Sequence, residues 1–415
     1  ITRSTSPRFS MPDFSKLKIN ESITYDVIKE DPIYHSVKNT SKTHYDVGKN
    51  EIGFKLYGSS NVINVANSTT MNVKEGGVAF LVSSSFNLKN PQLSVRELLA
   101  QSMTNANKLK LNMNPNSYLF MIDDGAVNLS ETNISDIMSG TSRNLKPEIN
   151  GTDYKMIKFH NSKIFIDQNV NLDDPNDIYN KLVATNSSFS TRKDVTISGT
   201  KDNQIAIQAT EKIENYLSAV TVFNNINNGE INLKGNNSIG VYVRNTLFEN
   251  DGKIAVDKNS IGIYLSSHKG GEIYNTGNIS LGESSTGMYL YGPWIDFSGV
   301  SHNKGKIESN SNNVIGMVVN VSAQKKDPSS TVREEELVYN EGKIELKGDK
   351  SIGIFAGGDA NYKVSNYRYG KITIGDSFEK NNPSIGMFSN NPNTLLVNYG
   401  TIEIGKNSAG IVGFG

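Results

Sequence analysis

Cysteine is absent from the 415 residues of this chain, and tryptophan occurs once. Without cysteine there is no disulfide framework, no thiolate nucleophile and no cysteine-ligated zinc. The absence fits a protein that crosses a membrane unfolded after an oxidising compartment, where a disulfide would block passage. A net charge is also missing: Lys plus Arg is 42 and Asp plus Glu is 42, so no general field attracts nucleic acid or an anionic membrane. No run approaches the ~18 apolar residues of a membrane-spanning helix. The first residues, "ITRSTSPRFSMPDFSK", lack an initiator Met and the apolar core of a signal peptide. The last, "SAGIVGFG", stop inside a repeat, so the expectation is a piece of something longer.

Apolar residues make up only 36% of the chain, and Asn, Ser and Gly take up the difference. Such a composition is poor in wide apolar faces and rich in turn formers. These residues are organised in a repeat. It reads "NNGEINLKGNNSIGVY" from Asn227, "NDGKIAVDKNSIGIY" from Asn250 and "NTGNISLGESSTGMY" from Asn275. It continues as "NKGKIESNSNNVIGMV" from Asn303, "NEGKIELKGDKSIGIF" from Asn340, a degenerate "RYGKITIGDSFEKNNPSIGMF" from Arg368 and "NYGTIEIGKNSAGIV" from Asn398. The first glycines (Gly229, Gly252, Gly277, Gly305, Gly342, Gly370, Gly400) lie 23, 25, 28, 37, 28 and 30 residues apart. A near-constant minimum with a variable excess describes a fixed structural coil that carries insertions.

Within a unit the apolar residues alternate. In "GKIELKGDKSIGIFA", Ile344 and Leu346 alternate with Lys343, Glu345 and Lys347; turn residues follow, then a second short strand. Short strands at roughly 22 residues per coil predict an all-β, parallel β-helix, and the crossover preference of parallel strands predicts the right-handed form. The repeat Asn residues are expected to stack in an amide ladder. The first glycine of each unit is expected at a corner with positive φ. The second (Gly240, Gly262, Gly287, Gly316, Gly353, Gly386, Gly410) is expected where the wall bends inward, which makes Gly262 more sensitive to substitution than Gly270 in a variable segment. Aromatics two residues later, such as Tyr242, Tyr264 and Tyr289, are read as a structural stack.

The units resemble the passenger repeats of the large fusobacterial type V autotransporter adhesins, the RadD-like and galactose-inhibitable members above all. In that family such units alternate with segments like "NLDDPNDIYNKLVATNSSFS" (Asn171 to Ser190). The resemblance covers residues 195–415. It is weaker over 46–194, through "NEIGF" from Asn50 and "TMNVKEGGVAFLV" from Thr70, and no repeat is legible in 1–45. It implies a surface-exposed adhesin held at the outer membrane by a barrel outside this sequence. Its partner would be a host-cell glycan or protein receptor, or the surface of a partner bacterium.

Three regions are therefore expected: an irregular segment 1–45, an irregular β-helical region 46–215 and a regular β-helix 216–415. Two segments break the strand pattern and read as short inserted helices. In 91–108 Pro91 sits in a first turn, with Leu93, Leu98, Leu99 and Met103 on one side. In 173–186 Asp174 is the N-cap, with Ile178, Leu182 and Val183 apolar. Three stretches read as loops extruded at one shared corner: Tyr289 to His302, Ser322 to Asn340 and Ala356 to Gly370. The first holds the candidate ligand-binding residues Tyr291, Trp294 and Asp296, because an aromatic platform beside a carboxylate suits a sugar ring or a protein hot spot.

No catalytic constellation emerges. The Asp123-Asp124 and Asp173-Asp174 neighbours point to opposite faces of a strand, Arg333 to Glu336 reads as a solvated charged run, and the five histidines show no ligand spacing. No catalytic residue, metal or cofactor is expected. The adhesin reading stands first, a structural stalk presenting a distal tip second, and a polysaccharide-active β-helix third.

Overall fold

In the computed structural model, residues 35–37, 43–56, 63–65, 67–83, 103–123, 126–132, 147–160, 162–185, 187–210, 225–268, 270–292, 299–322, 335–379 and 382–413 are described. Short strands joined by tight turns dominate them, and every strand pairing whose register is resolved is parallel. The fold is an all-β parallel β-helix. It divides into two compact units, one reaching Val170 and including Asp174–Ser190, the other taking Asn171–Asp173 and Thr191 onward.

In the regular unit each coil contributes one strand to each of three sheets. The first sheet holds Leu247–Asn250, Glu272–Asn275, Val300–Asn303, Glu335–Asn340, Tyr362–Asn366 and Thr394–Asn398. The second holds their successors, from Glu230–Leu233 and Lys253–Val256 to Lys371–Ile374 and Thr401–Ile404. The third is an eight-stranded sheet from Ile205–Thr210 through Ile261–Ser266 to Ala409–Gly413. Strands such as Ile239–Arg244 and Ile261–Ser266 are buried at every position, so both faces of the third sheet are removed from water there.

At the end of each first-sheet strand an asparagine points into the core. Nδ2 of Asn227 donates to Oδ1 of Asn250 at 2.8 Å, Asn250 to Asn275 at 2.8 Å, Asn275 to Asn303 at 2.8 Å and Asn303 to Asn340 at 2.7 Å. The chain of amides continues through Asn366 to Asn398, and Thr191 Oγ1 donates to Asn227 at its start. Asn366 is the member the repeat pattern missed; the degenerate unit begins there and not at Arg368, because the corner that follows is longer. The backbone carbonyls of Asn227, Asn250, Asn275, Asn303 and Asn366 each accept two N–H groups from the next corner, as Asn250 O does from Thr276 and Gly277 at 2.9 and 2.8 Å. The buried amides and carbonyls of the corner thus find their partners in the adjacent coil.

That closeness explains the first glycine. Its φ is not positive, contrary to the expectation; the repeat position with positive φ lies at the opposite turn, on Asn237, Asn259, Ser284, Asn313, Lys350 and Asn407. Most of these are asparagine, which tolerates the left-handed conformation. The corner glycine is instead required by approach: a β-carbon on Gly252 would lie 2.0 Å from Gly229 O, and one on Gly277 2.0 Å from Gly252 O. The second glycine faces the core, where a β-carbon on Gly240 would meet Ile254 Cγ2 at 2.8 Å and one on Gly262 would meet Ile279 Cγ2 at 2.9 Å. A column of isoleucines from the second sheet (Ile254, Ile279, Ile307, Ile344, Ile372) packs over this column of glycines. Each buried isoleucine contributes about 1.5–3 kcal/mol of transfer free energy. Gly270 is not the indifferent position expected, for its φ is 97° and a side chain there would be strained.

The other unit keeps the plan with different rows. Its six-stranded sheet includes Glu51–Leu56, Val78–Ser83, Tyr118–Asp123 and Lys155–His160, and its four-stranded sheet includes Thr69–Val73 and Leu109–Met113. Phe54, Phe80 and Phe120 stack at 6.1 and 5.5 Å. Of the two expected helices, the first falls mostly outside the described residues and the second does not form. Residues 91–102 lie outside them, Met103–Thr104 is a strand and Ala106–Lys108 a single 3-10 turn. In the second segment Asp174 accepts from Asn176 N at 2.8 Å in a local turn, and Asp177 caps the 3-10 turn Ile178–Lys181. Leu182–Thr185 then joins the sheet beside Lys155–His160, so a waiting strand edge overrides a short helical pattern. Asp173 accepts from Thr200 N and Gln204 Nε2, both at 2.9 Å, and caps the turn of another coil.

Two substitutions test this account by urea unfolding. Asn303→Ala removes one acceptor and one donor at a site with no exposure, so that the Asn275 amide loses its acceptor and the Asn340 carbonyl oxygen its donor; a loss on the order of 3 kcal/mol is expected. Gly262→Ala should lose ~1–3 kcal/mol through overpacking. Gly410→Ala, at the same repeat position but with nothing within 4 Å, should stay within ~0.5 kcal/mol. Equal midpoints for the two glycine variants would contradict the packing of isoleucine against glycine.

Candidate functional site

The sequence-derived site is only partly placed. Trp294 and Asp296 lie outside the described residues. Tyr291 ends the strand Thr286–Gly292, between Ser266 and Asn320 of adjacent coils. It is partly buried against the cluster that Ile239, Tyr242, Ile261 and Tyr264 form, and its ring lies 6.3 Å from His268, so it contributes packing to the third sheet. The stretches before Val300 and before Glu335 both leave the third sheet and re-enter the first, as a common corner requires. The stretch from Ala356 to Gly370 is not a loop: it finishes the strand Ile352–Gly358, turns, and forms Tyr362–Asn366 with Tyr362 fully buried. Glu335 and Glu336, read as part of a solvated run, also belong to a strand.

What the structure brings together instead is a row of rings on the outer side of the first sheet. Tyr274 lies 5.5 Å from His302, His302 5.0 Å from Tyr339, Tyr339 5.8 Å from Tyr367 and Tyr367 6.4 Å from Tyr399. The cause is register. Tyr274, His302 and Tyr339 each precede a core-facing ladder asparagine, so alternation turns them outward in one column. Tyr367 and Tyr399 each follow their asparagine and shift the row onto the corner. The signal was present in the repeats as "YN", "HN", "YN", "NY" and "NY" around the recurring Asn. It is visible only once Asn366 is recognised as a ladder residue.

Carboxylates line the row. Tyr274 Oη donates to Glu272 Oε2 and Tyr367 Oη to Glu336 Oε2, both at 2.6 Å. Glu336 also accepts from Ser365 Oγ and pairs with Lys363 Nζ at 3.3 Å, while Glu341 lies 3.3 Å from His302 Nε2 and 3.7 Å from Lys304 Nζ. The carboxylates push both phenols up to about 12, since ionisation would set two anions side by side. Burial pulls the His302 imidazole below its ordinary value, with Glu341 acting in the opposite sense. The hydroxyls are therefore neutral donors at physiological pH. The row offers ring edges, carboxylate acceptors and lysine donors, which suits recognition by stacking and hydrogen bonding.

Because the phenol of Tyr367 is raised in the folded state, its contribution to stability is complete below the unfolded tyrosine value near 10 and is lost as pH rises toward 12. Absorbance titration at the tyrosinate band should show one fewer late-ionising phenol in Tyr367→Phe. In Glu336→Gln the same phenol should titrate earlier; an unchanged titration would break the assignment.

No family model, curated protein or solved structure matches this chain, so its function is argued from the geometry of the row and the corner beside it.

Proposed function

We propose that this chain is part of a bacterial surface adhesin of the autotransporter kind. It attaches the cell to host cells or partner bacteria through the outer side of the first sheet, by binding a glycan or protein receptor. The observation that carries the reading is the outward row from Tyr274 to Tyr399 with its carboxylates. A coil stack needs only its inward residues and its corners to hold together. A column of rings kept on the outside across successive coils supports contact with a large partner. The repeats' resemblance to adhesin passengers and the absence of cysteine point the same way. Both favour a location outside the cell, and the resemblance alone implies anchorage by a barrel beyond this sequence.

The lack of native cysteine makes a direct test possible. Beads coated with the chain should adhere to epithelial cells or to a lawn of partner bacteria. A bulky maleimide polymer on Glu335→Cys, at the exposed start of a first-sheet strand, should abolish adhesion. The same label on Lys343→Cys, exposed on the second sheet, should leave it intact. Beads that never adhere would mean the segment is a spacer, and equal effects of both labels would remove the first sheet from the role.

A further inference from the structure

The corner after Asn366 holds more than the fold uses. Elsewhere one residue separates ladder asparagine from glycine, as Asp251 does between Asn250 and Gly252; here three do, Tyr367, Arg368 and Tyr369. Tyr367 occupies the ordinary place, its N–H bonding to Asn340 O at 2.9 Å. Gly370 N then closes on Tyr367 O at 2.8 Å, and the stack resumes in register, with Lys371 N on Gly342 O and Thr401 N on Gly370 O, both at 2.9 Å. The closure leaves Arg368 and Tyr369 in solvent, with Tyr369 81% exposed. An aromatic ring left so far out of the core forgoes burial that the neighbouring rings obtain.

The two surplus residues form a pair. The Arg368 guanidinium stands 6.0 Å over the Tyr369 ring, and no ion pair engages it among the described residues. In the next coil Tyr399 is 61% exposed and stacks on Tyr367, with Lys363 Nζ 5.9 Å from its centroid. The exposed rings thus each lie beside a cation. Lys363 is already neutralised by Glu336, which leaves Arg368 as the unpaired cation of this corner among the described residues.

We propose, building on the attachment reading, that this corner binds a carboxylate-bearing pyranose at the end of a glycan, a sialyl or uronyl residue. Arg368 takes the carboxylate through its planar fork, and the C–H face of the sugar packs on Tyr369 or Tyr399. The free cation favours an acidic sugar over a neutral one.

The test immobilises the whole chain and titrates 3′-sialyllactose, a glucuronate-terminated disaccharide, sialyllactose methyl ester, lactose and an aspartate-rich peptide. Saturable binding of at least one carboxylate sugar is expected, with the two acids telling sialyl from uronyl. Esterification and Arg368→Ala should each weaken it at least ~10-fold, as loss of a charge-assisted hydrogen bond does. Tyr369→Ser should weaken it too, with the melting temperature unchanged because both side chains are exposed. Equal binding of lactose or of the ester, preference for the peptide, no bound acid sugar, or an Arg368→Ala variant that binds like the parent would overturn the inference. Bead adhesion run in parallel separates the two claims. Adhesion unaltered in Arg368→Ala and Tyr369→Ser removes this site and keeps the attachment role, whereas absent adhesion by the parent chain removes the role itself.

Discussion

The side-chain amide ladder fixes the register of the regular unit, and the other rows follow from it. A buried primary amide is costly unless both its donor and its acceptor are met. Here each interior asparagine is met from the coil before and the coil after, and at every interior position except Asn340 its backbone carbonyl takes two further N–H groups from the next corner. A coil displaced by one residue would orphan several of these groups together and turn its apolar side to water. The corner glycine follows from the same constraint, since the second coil can approach the carbonyl only if no β-carbon intervenes.

Once register is fixed, any residue type at a constant repeat position becomes a row. Isoleucine facing inward becomes a column that fills the space its glycine partners leave. Tyrosine and histidine facing outward become a stack in which neighbouring carboxylates raise the Tyr274 and Tyr367 phenols. The inward rows carry stability and the outward ones are free to carry recognition. The corner from Asn366 to Gly370 shows the two separated within one turn. Tyr367 and Gly370 serve the stack, while Arg368 and Tyr369 serve nothing in it.

The less regular unit applies the same logic in a different place. Its core is organised by phenyl rings, and its amide row faces outward. Asn112 donates to Asn72 at 2.8 Å and Asn72 to Asp46 at 2.9 Å, so the chain of donors ends on a carboxylate, which can only accept. In the regular unit the chain opens with a hydroxyl donor, Thr191, and each amide donates toward the next coil.

Alternation, the two glycines and the recurring asparagine were enough to read a parallel β-helix and an amide ladder from the amino acids alone. These features are local and repeated, and each copy corroborates the others. Positive φ was misassigned to the corner glycine because sequence shows that glycine is required and not whether backbone angle or close approach requires it. The segments near Met103 and Leu182 pattern as helices, yet they pair as strands, since a strand's partner lies coils away and leaves no mark nearby. The stretch from Ala356 to Gly370 looked like a loop because its ladder asparagine is separated from its glycine by two extra residues. For the same reason the ring row stayed hidden. Adjacency of Tyr274, His302, Tyr339, Tyr367 and Tyr399 is a property of stacked coils and not of sequence distance, and only the tertiary structure could set it.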